Sequence, residues 1–338
     1  ASGNYSFAAG NGSIASNTYA FAAGLQDTAS GISSFAVGSL NSASGAYAFA
    51  AGNQSIASNA YALAAGFKDT ASGQAAAAFG NITKASGNFS FASGNQAIAS
   101  GISSFATGQQ ATASNSYSFA MGLQTTASGI AAVALGRSNS ASGTQSLAAG
   151  YQNGALGDYS IATGWADTAY GDASAAFGRS NYSEGTHSLT AGYLSKARGS
   201  YSAAIGYGAS NNSFSAITLG SYNDTLTGAN PTAAVTTDPL LIVGIGTSPA
   251  SRINGMVMLR NGRTLINASG TTGYIAPRAS LDVQGTDGII APSGTTAQRP
   301  AAPVFGTIRY NTTIGRMEAY VNDVNGDGIQ GDAGWRAL

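Results

Sequence analysis

A glycine recurs every fourteen residues through the first two thirds of the chain, and this period limits the possible folds more than any other feature. The predicted turn glycines are Gly10, Gly24, Gly38, Gly52, Gly66, Gly80, Gly94, Gly108, Gly122 and Gly136, and the series continues to Gly220. A short, strict period predicts a solenoid, whose coils stack on one another and cannot bury their apolar faces alone. We therefore expect an elongated, all-β solenoid of fourteen-residue coils whose function lies on its surface.

Each coil carries bulky and small side chains at complementary places. We number the coil from Tyr5, so that the recurring glycine is position six. Position three is usually large, as in Phe7, and the residue at position five is then often small. Where position three shrinks, as in Ala77, position five grows to Phe79. Side chains two residues apart share one face of a strand, so this compensation predicts that positions three and five form the core.

The opposite face of the same strand carries very small side chains. Position four is alanine in fourteen of sixteen coils, and position two is nearly always serine or alanine. A solvent-facing strand would tolerate larger polar residues, so we expect the backbone of another chain to approach this face. The predicted subunit interface includes Ala8, Ala22, Ala36, Ala50, Ala64 and Ala78.

Two turns must close each coil. The position-six glycine is predicted to form the first turn. Glycine or asparagine at position thirteen, as in Asn17 and Gly31, is predicted to form the second turn in a left-handed conformation. Sixteen coils stacked ~4.8 Å apart would form a rod of about 75 Å. Tyrosines recur at position one, as in Tyr5 and Tyr19. They indicate either a sugar-binding ladder or, in the simpler interpretation, aromatic packing between coils.

Composition excludes several classes of function. Only 8% of the 338 residues are charged and the net charge is zero, which argues against a nucleic-acid partner. The chain has no cysteine, and no apolar run approaches the ~18 residues of a membrane helix, so we expect no membrane insertion. With one histidine and scattered carboxylates, of which Asp27 and Asp69 lie three coils apart, no catalytic constellation is evident. We expect a protein that is not an enzyme.

The repeat resembles the head repeat of trimeric autotransporter adhesins. The resemblance covers residues 1–228 and is clearest in AAVALG (131–136) and YSAAIG (201–206). It implies a left-handed parallel β-roll and a homotrimer in which three rolls pack around a three-fold axis.

The end of the chain resembles the C-terminal tip of phage tail-fibre proteins. The pattern is carried by GTTAQRP (294–300), GTIRYN (306–311) and NTTIG (311–315), followed by a strand that ends in EAY. Residues 229–280 resemble the connector that follows such rolls in fibre proteins, and 281–338 form the expected tip. Strands at Ile308–Tyr310 and Met317–Tyr320 are predicted to flank a hairpin turn.

One loop of the tip has the spacing of a calcium site. Asp323, Asn325 and Asp327 occupy the first, third and fifth places of a calcium loop, and Asp332 stands at the tenth. The twelfth place, normally glutamate, is Gly334. The alternative interpretation is a polar hairpin loop; calcium is the only candidate cofactor.

The sequence as a whole predicts a non-enzymatic homotrimeric fibre for attachment, most like a tail fibre of a phage or a phage-like injection machine. It would be extracellular, on a virion tail or a cell-surface appendage, and would bind a cell-surface glycan or protein receptor. The alternatives are the head of a bacterial surface adhesin and a structural filament or sheath subunit without a receptor.

Overall fold

The structure is a computed structural model that describes residues 1–267, 270–286, 288–326, 331 and 333–338. These residues form two compact units, Ala1–Gln284 and Gly285–Leu338. The described residues include no α-helix; one 3-10 helix, Thr296–Gln298, is the only helical element among them.

Residues 1–222, here called the roll, build every coil except the last from one long and one short strand. The long strand covers positions three to seven and the short strand positions ten and eleven. The long strands are Phe7–Ala9, Phe21–Leu25, Phe35–Ser39, Phe49–Asn53, Leu63–Phe67, Ala77–Asn81, Phe91–Asn95, Phe105–Gln109, Phe119–Leu123, Val133–Arg137, Leu147–Tyr151, Ile161–Trp165, Ala175–Arg179, Leu189–Tyr193, Ala203–Tyr207 and Ile217–Ser221. The short strands are Ile14–Ala15, Thr28–Ala29, Ser42–Ala43, Ile56–Ala57, Thr70–Ala71, Lys84–Ala85, Ile98–Ala99, Thr112–Ala113, Thr126–Ala127, Ser140–Ala141, Gly154–Ala155, Thr168–Ala169, Tyr182–Ser183, Lys196–Ala197 and Ser210–Asn211.

Neighbouring coils pair in parallel and in constant register. Each residue of a strand lies opposite the residue fourteen positions later, as for Phe21 and Phe35 or Thr28 and Ser42. The long and short strands therefore form two separate parallel sheets. This arrangement confirms the predicted β-solenoid of fourteen-residue coils.

The apolar part of the roll interior is built almost entirely from alanine. Positions four and eleven turn inward, and their alanines form one continuous buried cluster over most of the roll. Ala64 and Ala71, for example, have no exposed surface. Because both inward positions are alanine in nearly every coil, the interior of the roll has room for little more than a methyl group from each sheet.

The left-handed residues of the coil lie at positions one and eight, not at position thirteen. Tyr19 and Gln26, for example, have φ values of 58° and 54°. Each still donates its backbone N–H to the preceding coil, at 2.9 Å from Tyr19 to Asn4 and 2.8 Å from Gln26 to Asn11. The prediction of a left-handed turn at position thirteen is therefore wrong. The glycines there have no left-handed φ, and they are required instead because the backbone of the next coil lies too close for a Cβ.

From Gly24 onward, the position-six glycines lie within the long strand and not at a corner. Gly24 has a φ of 138°, and a Cβ added there would overlap the carbonyl oxygen of Gly38 in the next coil. Both the backbone angle and the close approach therefore require glycine. The same pair of constraints applies to the other glycines of this series.

Four further strands continue the long-strand sheet beyond the roll. They are Pro239–Ile245, Asn254–Leu259, Thr264–Asn267 and Leu281–Gln284. The first is parallel to Ile217–Ser221, with Gly244 opposite Gly220. These two glycines are 24 residues apart, ten more than one coil, yet they keep the register of the preceding coils. The next two pairings are antiparallel, and the last is parallel. The predicted connector 229–280 thus shares a sheet with the roll, and its last partner strand ends four residues inside the predicted tip.

The second unit is a small sheet of four strands. They are Ser293–Gly294, Ile308–Asn311, Arg316–Val321 and Gly334–Ala337. The second and third strands are antiparallel and pair Asn311 with Arg316, which confirms the predicted hairpin.

Candidate interaction surfaces

The alanines predicted to form a subunit interface lie inside the roll. Ala22, Ala36, Ala50, Ala64 and Ala78 have no accessible surface in the single chain, and Ala8 in the first described coil is partly buried. A side chain enclosed by its own coil cannot contact another chain. The two faces of the long strand are therefore assigned the other way round from the prediction, with position four inside and positions three and five outside.

The outer face of the long-strand sheet is apolar and carries stacked aromatic rings. Phe21 stacks on Phe35 with ring centroids 4.5 Å apart, and Phe105 stacks on Phe119 at 4.7 Å. Aliphatic residues occupy the same positions elsewhere, and Met121 is 44% exposed. The complementary volumes at positions three and five therefore belong to an outer surface that is not covered by the chain itself.

Two further ladders of side chains follow the edges of this face. Position one holds an exposed aromatic ring in about half of the coils, and the rings of Tyr47 and Tyr61 stack at 5.2 Å. Position seven, from Arg137 to Tyr207, combines arginines with aromatic rings, and the Arg179 guanidinium lies 3.9 Å from the ring centroid of Trp165. Stacked rings present their edges rather than their faces to solvent. This geometry supports the packing interpretation of the position-one tyrosines over face-on stacking with sugars.

A polar ladder runs inside the roll at position nine. Asp27, Asp69 and Asp167 have no exposed surface. Oδ1 of Asp167 accepts hydrogen bonds from the backbone N–H and the side-chain amide of Asn181, both at 2.8 Å. Burial raises the pKa of Asp167 above its ordinary value despite these bonds. These carboxylates are structural members of the interior and are not accessible to a substrate.

In the tip, one buried carboxylate holds the sheet together. Glu318 is fully buried and receives a hydrogen bond of 2.6 Å from Arg299 and one of 3.0 Å from Asn311. Nε of Arg309 lies 3.6 Å from Oε1 of the same carboxylate. The hydrogen bonds from Arg299 lower the pKa of Glu318. The sequence motif around these residues therefore builds a buried ionic network.

The predicted calcium loop is described only in part. Asp323 Oδ1 accepts a hydrogen bond of 2.6 Å from the backbone N–H of Gly326, as in a polar turn. Asp327 and Asp332 lie outside the described residues. Calcium binding therefore stays a prediction. Within the described parts of the chain, no group of three or more metal-ligating side chains comes together.

Comparison with known families identifies the repeat. The family model of the YadA head domain repeat matches seven segments of the chain: residues 29–55, 71–97, 99–125, 117–139, 127–153, 141–166 and 184–209. All of these segments lie within the roll, which confirms the predicted resemblance of the repeat to the adhesin head repeat. No curated protein matches the chain. Over the described residues, no helix is long and apolar enough to cross a bilayer.

Proposed function

We propose that this chain is one subunit of a non-enzymatic, extracellular homotrimeric fibre that attaches to a cell surface. The observation that carries the proposal is the apolar outer face at positions three and five, to which position three contributes an apolar side chain in every coil. It follows the whole roll, about 75 Å at ~4.8 Å per coil.

An apolar face of this length needs a partner. Soluble monomers rarely expose contiguous apolar patches larger than a few hundred Å². The interior of the roll contains alanine methyl groups and a polar ladder but almost no large apolar side chains, so burial within one chain supplies a limited part of the hydrophobic stabilisation. Packing against copies of the same chain would cover the outer face, and three copies is the number implied by the adhesin head resemblance.

Attachment is supported by the kind of repeat and by the tip. YadA-type heads are adhesin surface structures, and three copies of each binding surface would convert weak contacts into avidity. The resemblance of residues 294–320 to tail-fibre tips favours a fibre of a phage or phage-like injection machine over the head of a bacterial adhesin. The receptor class is a cell-surface glycan or protein.

The test is the solution mass of the intact chain and of two variants in one coil. Wild type is expected at three times 33.4 kDa by light scattering. Phe105→Glu places a charge in the outer aromatic stack and should release monomers. Ser114→Glu, at an exposed site on the short-strand side of the same coil, should leave the trimer intact. A monomeric wild type would contradict the proposal, and a series of larger species would favour a filament subunit.

A further inference from the structure

A cleft of about 290 Å³ lies at the place where the short-strand sheet ends. The last short strand, Ser210–Asn211, pairs with Lys196–Ala197 on one side only. On its other side, Asn223 replaces a strand: its Oδ1 accepts from the Ser210 N–H at 2.7 Å, and its Nδ2 donates to the Ser210 carbonyl at 2.8 Å. One residue thus closes the sheet edge and leaves open space beside it.

The loss of a side chain at position eight helps to open this space. Gly208 stands where Leu194 occupies the preceding coil. A Cβ on Gly208 would lie 2.6 Å from ring atoms of Tyr222, so glycine is required for that ring to pack here. Arg252 then reaches over the last coils and donates to the carbonyls of Gly208 and Asn223, at 3.1 and 2.9 Å. These bonds fix the guanidinium at the wall of the cleft.

The cleft gathers positive charge in a part of the chain that has little. Lys196, Arg198 and Arg252 line it, together with one carboxylate, Asp224. Within the described residues, no carboxylate lies within 4.0 Å of the Lys196 ammonium, which sits 5.2 Å from the ring centroid of Tyr182. Arg198 shares an exposed contact with Glu184 at 3.2 Å. An anion entering the cleft would meet cations that are held by the roll but only partly neutralised.

The other residues that line the cleft are mostly polar and would bind the hydroxyl groups of a ligand better than an apolar ligand. Ser210, Thr225 and Asp224 add side-chain oxygens to the walls. Leu194 is the only lining residue with a wholly apolar side chain. The volume is near the lower end for small-molecule sites, which fits about one sugar ring rather than a length of polymer. A ligand with one carboxylate and several hydroxyls satisfies both the charge and the polar walls.

We propose that this cleft binds an acidic sugar, with the sugar carboxylate between Lys196 and Arg198 and its hydroxyls toward Asp224 and Ser210. The proposal deepens the attachment function proposed above and rests on it for its biological meaning. Positions eight, ten and twelve line the cleft, on the opposite side of the coil from the outer aromatic face. The cleft is therefore open in a trimer that assembles through positions three and five.

The test measures binding of N-acetylneuraminic acid and glucuronic acid to the intact protein, by calorimetry or ligand-observed NMR. N-acetylglucosamine and inorganic phosphate serve as the neutral and the non-sugar probe. We expect at least one acidic sugar to bind at least tenfold more tightly than either control probe. Equal binding of phosphate would reduce the cleft to a general anion site, and equal binding of the neutral sugar would remove the role of charge; either result overturns the proposal.

A matched pair of lysine variants locates the site. Lys196→Gln should weaken acidic-sugar binding about tenfold, whereas Lys84→Gln, at the same coil position but eight coils away, should not change it. Equal effects of the two variants would contradict the assignment. Arg198→Gln provides a second variant within the cleft, and circular dichroism confirms that each variant keeps the roll.

Failure of this proposal is separable from failure of the attachment fibre. The cleft is built from one chain, so sugar binding is measurable whatever the oligomeric state. A protein of trimeric mass that binds no acidic sugar contradicts the cleft proposal alone. A monomer that binds the sugar contradicts the trimer alone.

Discussion

The two units of the chain bury their carboxylates in different surroundings. In the roll, Asp167 lies among backbone groups and asparagines, and no cation contacts it among the described residues. In the tip, Glu318 lies between two arginines within 4 Å. The roll therefore relies on a hydrogen-bonded ladder that continues from coil to coil without a counter-ion at Asp167, whereas the tip concentrates much of its polar stabilisation in one ionic network.

This difference follows from repetition: the roll repeats the same contacts in every coil, whereas the tip is one small sheet. Each coil of the roll contacts its neighbours through the same backbone ladder and the same alanine interior, so stability is a sum of nearly equal increments. The tip has four strands and few buried apolar residues, so a single charged group can decide its stability. Substitutions should consequently act locally in the roll and on the whole sheet in the tip.

The largest effect is expected from a charge inside the roll. Ala64→Glu introduces a long acidic side chain where a methyl group fills the available space, and should destabilise the roll by more than about 4 kcal/mol. Hydrogen exchange should show loss of protection in the coils around residue 64. Leu63→Glu, one residue earlier on the outer face, should keep the roll folded and lower the solution mass instead. If Ala64→Glu remained folded and only dissociated, the assignment of the faces would be reversed.

This pair of residues also shows how far sequence reasoning could go. The period, the strands and the stacking were predictable because glycine recurs at a fixed place and alternating positions share a face. Which face is inside was not settled by volume compensation, because an outer face that packs on itself shows the same compensation. A stronger signal was alanine at position eleven, as in Ala71 opposite Ala64 in the interior: two facing strands that both carry methyl groups leave room for nothing larger.

The turns and the cleft were harder to predict for a different reason. Left-handed conformations at Tyr19 and Gln26 are imposed by the repeating coil, and neither residue type favours positive φ by itself. The cleft depends on Arg252, which lies outside the periodic series and meets Lys196 only through the fold. Periodicity therefore predicts the architecture, whereas the candidate binding site arises where periodicity stops.

The next largest effect is expected in the tip. Glu318→Gln keeps the shape of the side chain but leaves the nearly buried guanidinium of Arg309 without its counter-ion. We expect a loss of about 3 kcal/mol in tip stability, seen as faster hydrogen exchange across residues 308–321. Glu184→Gln, which removes an exposed pair with Arg198, should cost only ~0–1 kcal/mol. Equal effects of the two variants would contradict the contrast between a buried and an exposed pair.

The same carboxylate gives the tip a defined pH response. Because the folded-state pKa of Glu318 is lowered, its stabilising contribution is fully present above the ordinary glutamate pKa of ~4.3 and is lost as the pH falls through the folded value. Wild-type tip should therefore lose hydrogen-exchange protection as the pH is lowered from 5 toward 3. The Gln variant should lack this part of the response.

The smallest effect, and the one of opposite sign, is expected at Asp167. Its Oδ2 lies beside Gly164, at the place where neighbouring coils put the amide of an asparagine. In Asn181 that amide donates to the carbonyls of Phe177 and Gly192, at 3.0 and 2.9 Å. Asp167→Asn should make the equivalent bonds and remove a buried charge, and so stabilise the roll by about 1 kcal/mol at neutral pH.

The pH dependence of that gain distinguishes it from a general effect of the substitution. Burial raises the folded-state pKa of Asp167, so the wild type loses stability as the pH rises from ~3.9 through the folded value. The difference in melting temperature between Asp167→Asn and wild type should therefore be small at pH 3.5 and grow toward neutral pH. Asp172→Asn, at an exposed position, should stay within ~0.5 kcal/mol of wild type at every pH. A gain at Asp167 that did not change with pH would mean that the hydrogen bonds of the new amide, and not the removal of a buried charge, cause it, and the contrast with the ion-paired Glu318 would lose its basis.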